Sequence, residues 1–332
     1  MKCLVTGVSG FVGGHVLRHL SKSGHEVRGF YRKGADLSAI SDVSFEHYVG
    51  DLTDEASVNS AVEGCEWVFH VGAAYSLWMK DYQPMYDANV GGTRNILEAS
   101  KLFDCQKIIY TSTVGCVGVP DKKRQPVVPT DESHMLGEKQ MLNPYKHSKW
   151  LAEQLALKMS SEGLPIVIVN PSAPIGPGDI KPTPTGQVIL DFINNKMPAF
   201  LDTGLNWVDV RDVAAGHLLA AEKGKIGERY ILGNLQGNIT MKEFLLELAN
   251  VTGKKAPNMQ VPYFIAYLAA LFSERISALT GRPPKAPLGG VKMAKNYMWF
   301  DASKAVNDLG MPQTPIRTAM KAAVDYFISR KE

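Results

Sequence analysis

The first half of the chain alternates two patterns of apolar residues. Short runs rich in branched and aromatic side chains recur at Lys2–Thr6, Glu26–Tyr31, Ser44–Val49, Trp67–Val71, Lys107–Ser112 and Ile166–Asn170, and read as strands. Between them, longer stretches place apolar residues three and four apart, which predicts helices over Phe11–Ser23, Glu55–Val62, Val90–Phe103 and Tyr145–Glu162. In the first of these the periodic set is Phe11, Val12, Val16, Leu17 and Leu20. A run that is apolar throughout, such as Val167-Ile168-Val169, suits a strand covered on both faces. Strands and helices in alternation predict an α/β fold with a doubly wound parallel sheet, whose ligands sit at the carboxyl ends of the strands.

The pattern changes after Asn170. Pro171 to Gly186 holds five prolines and three glycines and reads as a loop where the chain leaves the sheet. A helix over Asp209–Glu222 and a strand over Glu228–Leu232 then return to it. Thr240 is positioned to cap a helix over Met241–Val251, and Ala319–Ser329 is amphipathic. The expected organisation is a nucleotide-binding domain over residues 1–170, rejoined by 206–235. A smaller C-terminal substrate lobe takes 171–205 and 236–332. Val261 to Phe272 is apolar but too short to span a bilayer. It reads as a buried lobe helix, the expectation adopted here, or as an interfacial anchor touching a membrane from one side.

Composition changes this picture little. The chain has 332 residues, 21% charged and 45% hydrophobic, ordinary for a soluble globular protein. A formal net charge of +3 gives no argument for nucleic acid. Cys3, Cys65, Cys105 and Cys116 lack metal-ligand spacing and read as free thiols. Met1-Lys2 leads straight into a strand, so a cytoplasmic protein is expected.

Three stretches carry candidate chemistry. Between the first strand and first helix lies Thr6-Gly7-Val8-Ser9-Gly10-Phe11-Val12-Gly13-Gly14, with glycines at Gly7, Gly10 and Gly13. Such a turn lets backbone approach a bound group, and the helix N-terminus offers free N–H groups to a pyrophosphate. Tyr145 and Lys149 stand at i and i+4, on one helix face. An ammonium there favours the phenolate, lowering the tyrosine from its usual value of about 10, and such a tyrosine can exchange a proton with a carbonyl oxygen. The strand Ile108–Ser112 ends in hydroxyls, Thr111, Ser112 and Thr113, at the edge where the cofactor belongs.

The glycine loop, the hydroxyl cluster and the Tyr-x-x-x-Lys helix, in that order, resemble the extended short-chain dehydrogenase/reductase (epimerase/dehydratase) superfamily, a Rossmann fold. Gly50-Asp51-Leu52, His70-Val71-Gly72-Ala73-Ala74, Asn89-Val90-Gly91-Gly92-Thr93, Asn170-Pro171-Ser172 and Trp207–Val213 agree with it over nearly the whole chain. The likeness is greatest to the dihydroflavonol-4-reductase-like branch, and Pro174–Gly186 resembles the bacterial hopanoid-associated sugar epimerase group. The resemblance implies that Gly7, Ser9, Gly10, Phe11, Val12 and Gly13 cradle the pyrophosphate, while Asp51 and Leu52 flank the adenine. Val71, Gly72, Ala73 and Ala74 line the nicotinamide ribose, and Asn89, Thr111, Ser112, Asn170, Pro171 and Ser172 belong to the same cofactor site. Tyr145 is the implied acid/base, with Lys149 on the ribose hydroxyls. Thr113 stands where the family usually has serine; Ser112 is the weaker candidate, because alternation turns it to the other face. Tyr75, Trp78, Thr113, Ser172, Pro174 and Ile175 are implied substrate neighbours. Pairing of Val90–Phe103 and Trp150–Met159 implies a homodimer.

Cofactor choice is read from charge. The second strand ends Tyr31-Arg32-Lys33-Gly34, with no acid before Asp36. A guanidinium there suits a 2′-phosphate, so Arg32, with Lys33 assisting, predicts NADP(H). The expected activity is NADPH-dependent reduction of a small-molecule carbonyl. The rivals are an epimerase or dehydratase of a sugar or sugar nucleotide, and a non-catalytic NADP-binding sensor. Tyr75, Trp78, Tyr82 and Tyr86 form either an aromatic substrate wall or simple loop packing. Met197–Phe200 and Leu205–Trp207 are candidates to finish the pocket. His15 and His19, at i and i+4 with no acid companion, read as a helix-surface pair rather than a metal site.

Overall fold

The computed structural model describes residues 1–76, 78–120, 126–141, 143–284 and 287–330. Its elements run β1 (Lys2–Thr6), α1 (Phe11–Lys22), β2 (Glu26–Tyr31), β3 (Glu46–Val49), α2 (Glu55–Val62), β4 (Trp67–His70), α3 (Gln83–Tyr86), α4 (Gly92–Leu102), β5 (Lys107–Thr111), α5 (Pro144–Ser161) and β6 (Ile166–Pro171). Then follow β7 (Ala173–Ile175), α6 (Pro184–Ile193), β8 (Ala199–Leu201), β9 (Gly204–Asp209), α7 (Val210–Lys223), β10 (Arg229–Leu232), β11 (Asn238–Thr240) and α8 (Met241–Thr252). The chain ends with β12 (Met259–Val261), α9 (Tyr263–Thr280), α10 (Leu288–Met293), β13 (Tyr297–Met298) and α11 (Ile316–Ser329).

Seven strands pair in parallel in the order β10-β6-β5-β4-β1-β2-β3. This is the doubly wound order with one strand added beyond β6. The apolar faces of the helices cover both sides. On one side Val16, Leu17 and Leu20 of α1 meet Val213, Ala214 and Leu218 of α7 over Val5, Phe69, Ile109 and Val167. On the other, Val58, Val62, Ile96, Leu97, Ala152 and Ala156 cover Leu4, Val68, Ile108 and Ile168. Every residue of β6 is buried, as its unbroken apolar run requires.

A second sheet carries the substrate side. β9 lies between β11 and β13 and also pairs with β7. Trp207 on β9 stacks on Phe244 of α8 with ring centroids 3.6 Å apart, at the centre of a separate apolar cluster. Asp209 caps α7, and Thr240 caps α8 in a reciprocal capping box with Glu243.

Three expectations need correction. The proline-rich stretch after Asn170 is not all loop, because β7 pairs with β9 inside it and α6 begins at Pro184. Proline is at home in a first helical turn, where its missing N–H has no intrahelical partner, and Thr183 caps the helix through Gly186 N. Helical backbone also begins well before Val90, at Gln83, and reaches α4 through a π-turn over Asp87–Gly91. Finally, the apolar helix expected to be buried is not: in α9 only Ala270 and Ser277 are buried. Among the described residues no helix is long and apolar enough to cross a membrane.

Candidate active site

The glycine turn works by close backbone approach. Gly7 has φ +72° and bonds Phe30 O at 3.0 Å, while Gly10 N returns to Gly7 O at 2.9 Å. A Cβ on Gly13 would stand 2.2 Å from Gly7 O, so only glycine lets α1 start this near the turn. Gly10 caps α1 without a side-chain bond, and the first turn holds no acid. The helix therefore offers bare N–H groups and a positive dipole end, beside exposed Ser9 and Gly10, to an anion. These residues fit a dinucleotide pyrophosphate. Phe11 stands edge-on to His15, and Val12 packs on the core beneath. His15 Nε2 bonds Pro177 O at 2.8 Å, fastening the loop after β7 to α1.

Next to this turn, Asp51 Oδ1 accepts from Thr53 N and Oγ1, bonds that hold its carboxyl below the usual range. Asn95 Nδ2 donates to Leu52 O at 2.8 Å. Leu52 closes against Gly92 and Gly72, leaving no space there for a Cβ on Gly92. Arg32 and Lys33 lie exposed past the end of β2. Asp36 is engaged by Ser38, whose backbone N–H donates to it at 2.9 Å.

The loop after β4 is held by a chain of bonds whose polarity can be worked out. Gly72 N donates to Thr6 Oγ1 at 2.9 Å, and Thr93 Oγ1 donates to Asn89 O. His70 lies between the two hydroxyls, Nδ1 at 2.9 Å from Thr6 Oγ1 and Nε2 at 3.0 Å from Thr93 Oγ1. Since the Thr93 proton is committed to Asn89, His70 donates from Nε2 and accepts from Thr6 at Nδ1. Burial keeps this imidazole neutral, its pKa pulled down to about 3. Asn89 then accepts from Ala74 N at 2.7 Å and donates to Ala74 O and Ser148 Oγ. The Val71–Ala74 backbone is thus fixed both to β1 and to α5. The polar role of His70 escaped sequence reasoning; a histidine ending an otherwise apolar strand was its only signal.

Asn143 caps α5, accepting from Lys146 N at 2.8 Å, with Pro144 opening the helix. The cap sets Tyr145 and Lys149 facing the end of β5. The Thr113 hydroxyl stands near the Tyr145 phenol, where it acts to lower the phenol's pKa. Lys149 Nζ donates to Thr111 O at 2.8 Å and lies 4.5 Å over the Tyr110 ring. Burial pulls its pKa down to about 8. Burial likewise pushes the Tyr145 phenol well above the ordinary tyrosine value, the nearby Thr113 hydroxyl working against it. The expected lowering of Tyr145 by Lys149 is therefore corrected: desolvation raises the phenol, and the ammonium is directed at Thr111 and Tyr110.

The Ser112 hydroxyl is buried near Cys116 and has no hydrogen-bond partner among the described residues. Thr111 Oγ1 is taken by His217 Nε2 at 2.9 Å, so its contribution to the site is its carbonyl. Asn170 Nδ2 donates to Thr113 O at 3.0 Å and to Glu153 Oε2 at 2.9 Å, positioning the Thr113 turn from below. Pro171 ends β6, buried. The Ser172 hydroxyl bonds Asn206 Oδ1 at 3.0 Å. Lys146 is buried against the Thr113–Gly115 turn and its pKa is lowered by that burial; sequence reasoning had assigned it nothing.

The candidate substrate residues divide. Tyr75 meets Tyr145 edge-on with centroids 4.5 Å apart, and remains 47% exposed at the mouth of the site. Trp78 is held in the same loop through Ser76 Oγ. Tyr86 instead bonds His147 Nδ1 at 2.9 Å, and His147 bonds Glu138. Pro174 is half-buried, its carbonyl accepting from Thr185. Ile175, Phe200 and Trp207 are buried in the apolar cluster of the second sheet, so their proposed place in the pocket is corrected. All four cysteines are free and buried.

With this geometry in place, comparison gives a consistent result. The family model for the NAD dependent epimerase/dehydratase family matches residues 3–233. A Synechocystis protein provisionally named dihydroflavonol 4-reductase is 44% identical over 97% of this chain and 93% of its own. Sterol demethylase protein B of Methylococcus capsulatus is 31% identical over 99% of both chains. The crystal structure of gox2253 superposes with a TM-score of 0.86 at 42% identity, covering 99% of this chain and 98% of that one. The glycine cradle, the parallel sheet and these matches together make the chain a member of the NAD-dependent epimerase/dehydratase family, an NAD(P)-dependent oxidoreductase of the extended short-chain dehydrogenase/reductase type.

Proposed function

We propose that the protein is an NADPH-dependent reductase of a ketone or aldehyde with an apolar or ring-bearing body. The cofactor, when bound, supplies the hydride; the chain's own groups bind, orient and protonate. Thr113 donates a hydrogen bond to the carbonyl oxygen, and Tyr145 delivers the proton to that oxygen. Tyr145 is protonated at neutral pH, the form that can give a proton, and positive charge near the phenol offsets the burial that otherwise makes it a weaker acid. Lys149, fixed by Thr111 O, sets the ribose and carries positive charge behind the phenol as the proton leaves. Tyr75 forms an aromatic wall over Tyr145. The names borne by the two relatives, a dihydroflavonol 4-reductase and sterol demethylase protein B, support a ring-bearing substrate.

The observation that carries the NADPH reading is the exposed Arg32–Lys33 end of β2, with Asp36 bonded to Ser38. Two charge-assisted bonds to a 2′-phosphate correspond to roughly 10- to 100-fold in affinity. Fluorescence titration of wild type is expected to show NADPH binding tighter than NADH. Arg32→Ala is expected to weaken NADPH by about tenfold or more and leave NADH within about twofold. Equal affinities in wild type, or NAD⁺ that co-purifies and does not exchange, would replace this reading with the epimerase/dehydratase one.

A further inference from the structure

The helix α9 is amphipathic in the inverted sense. Phe264, Ile265, Leu268, Phe272, Ile276 and Leu279 are all exposed, Phe272 by 68% and Leu279 by 88%. At about 100° per residue, these six side chains fall within an arc of about 120°. The opposite face, turned to the protein, carries Ala266, Ala270, Ser273, Glu274 and Ser277. A surface helix ordinarily does the reverse, presenting its apolar stripe to the core. A contiguous apolar face of this kind marks a docking surface.

Charge around the face indicates what it meets. Between residues 254 and 295 the sequence has seven lysines and arginines against one acid, Glu274. That acid faces inward, where its Oε1 accepts from Leu288 N at 2.9 Å. Arg275 falls within the apolar arc, near its Phe264 side, and Arg282 follows the helix, both exposed. Lys295 Nζ stands 6.0 Å from the centroid of the Tyr263 ring at the other end. An apolar stripe with tyrosines near its start, cations in and beyond it and no outward acid is the pattern of a helix lying in an anionic membrane surface.

We infer that α9 docks this protein peripherally on an anionic lipid surface, with Phe264, Leu268, Phe272 and Leu279 entering the headgroup–acyl boundary. The helix is also connected to the catalytic side. It packs on α10, and Met293 of α10 accepts from Asn143, the cap of α5, at 3.4 Å. At its far end Gly281 lies against Lys80, at the close of the Tyr75–Lys80 loop. A membrane bound by α9 therefore adjoins both walls of the candidate active site. The docking itself does not depend on the reductase reading.

The test is flotation of the full chain with vesicles of phosphatidylcholine alone and of phosphatidylcholine mixed with phosphatidylglycerol. Wild type is expected to float with the mixed vesicles, less with the neutral ones, and to be released by salt. Leu268→Glu combined with Phe272→Glu is expected to reduce the floated fraction by about tenfold. Both positions are exposed, and NADPH titration of the same variant checks that its fold is intact. The inference is overturned if wild type stays unbound to the mixed vesicles, or if the double variant floats as well as wild type. It is equally overturned if light scattering shows a dimer, dissolved by the double variant, that vesicles leave intact; the face would then belong to a second copy of this chain.

Discussion

Tyr145→Phe is expected to lower kcat by at least a hundredfold while NADPH affinity stays within a few-fold. The variant removes one oxygen from a half-buried ring that Tyr75 packs edge-on. General acid catalysis by a placed side chain contributes roughly 10²–10⁴-fold. On the proposed reading cofactor affinity resides elsewhere, on the glycine turn, the end of β2 and Lys149, which is anchored to Thr111 rather than to the phenol. Stopped-flow reduction and cofactor titration separate the two quantities. Unchanged turnover in the phenylalanine variant would remove Tyr145 from the mechanism, and loss of NADPH binding would make it a structural residue of the cofactor site.

Acidification is expected to destabilise the fold well above the pH at which carboxylates protonate. His70 and His217 are buried and neutral, their pKa values lowered from 6.5 to about 3 and about 4. Both accept or donate within closed networks, His217 through Thr111 and Val213 O. In the unfolded chain each protonates near its ordinary value. Between pH 6.5 and about 4 these two imidazoles therefore let the unfolded state bind up to two more protons than the native state, offset in part by buried Glu132, Asp179 and Asp212, whose carboxyls burial raises. Stability rises with pH across that window and is lost as pH falls through it, by up to about 2.7 kcal/mol per pH unit. His15, His19 and His25 are lowered in the same direction. The depressed carboxylates Asp42, Glu46, Asp51 and Glu228 act in the same sense at lower pH, below their ordinary values. Urea midpoints at pH 7, 6 and 5 measure the slope, and His217→Asn should make it shallower by about one proton. A midpoint that does not move between pH 7 and pH 5 would contradict the burial of both imidazoles as neutral groups.

The strands and helices of the first 170 residues were legible because each lies in one regular environment. A strand buried on both faces, such as β6, leaves an unbroken apolar run, and a helix over a sheet leaves a stripe. The α5 pair Tyr145 and Lys149 was legible for the same reason, helical spacing fixing their common face. What the sequence concealed depended on partners distant along the chain. Strand β7 exists because β9 lies beside it, and three residues carry too little pattern to announce that. Trp207 and Ile175 looked like pocket residues from their place near the motifs, yet they pack in the apolar cluster of the second sheet. The orientation of Lys149 was not readable, since it is set by a backbone carbonyl rather than by its helical neighbour. Helix α9 was misread because an apolar segment is ordinarily buried, and periodicity alone does not say which side faces the protein.

The added strand β10 has a consequence for the nascent chain. On the ribosome β6 emerges and pairs with β5, but its other edge waits for Arg229–Leu232, about sixty residues later. At synthesis rates of roughly 5–20 residues per second, that edge stays bare for about 3–12 s. It is a mostly apolar parallel edge, the kind most apt to pair with another chain. Translation speed through α6, β9 and α7 thus bears directly on the yield of soluble protein, and this interval is where a chaperone has most to shield.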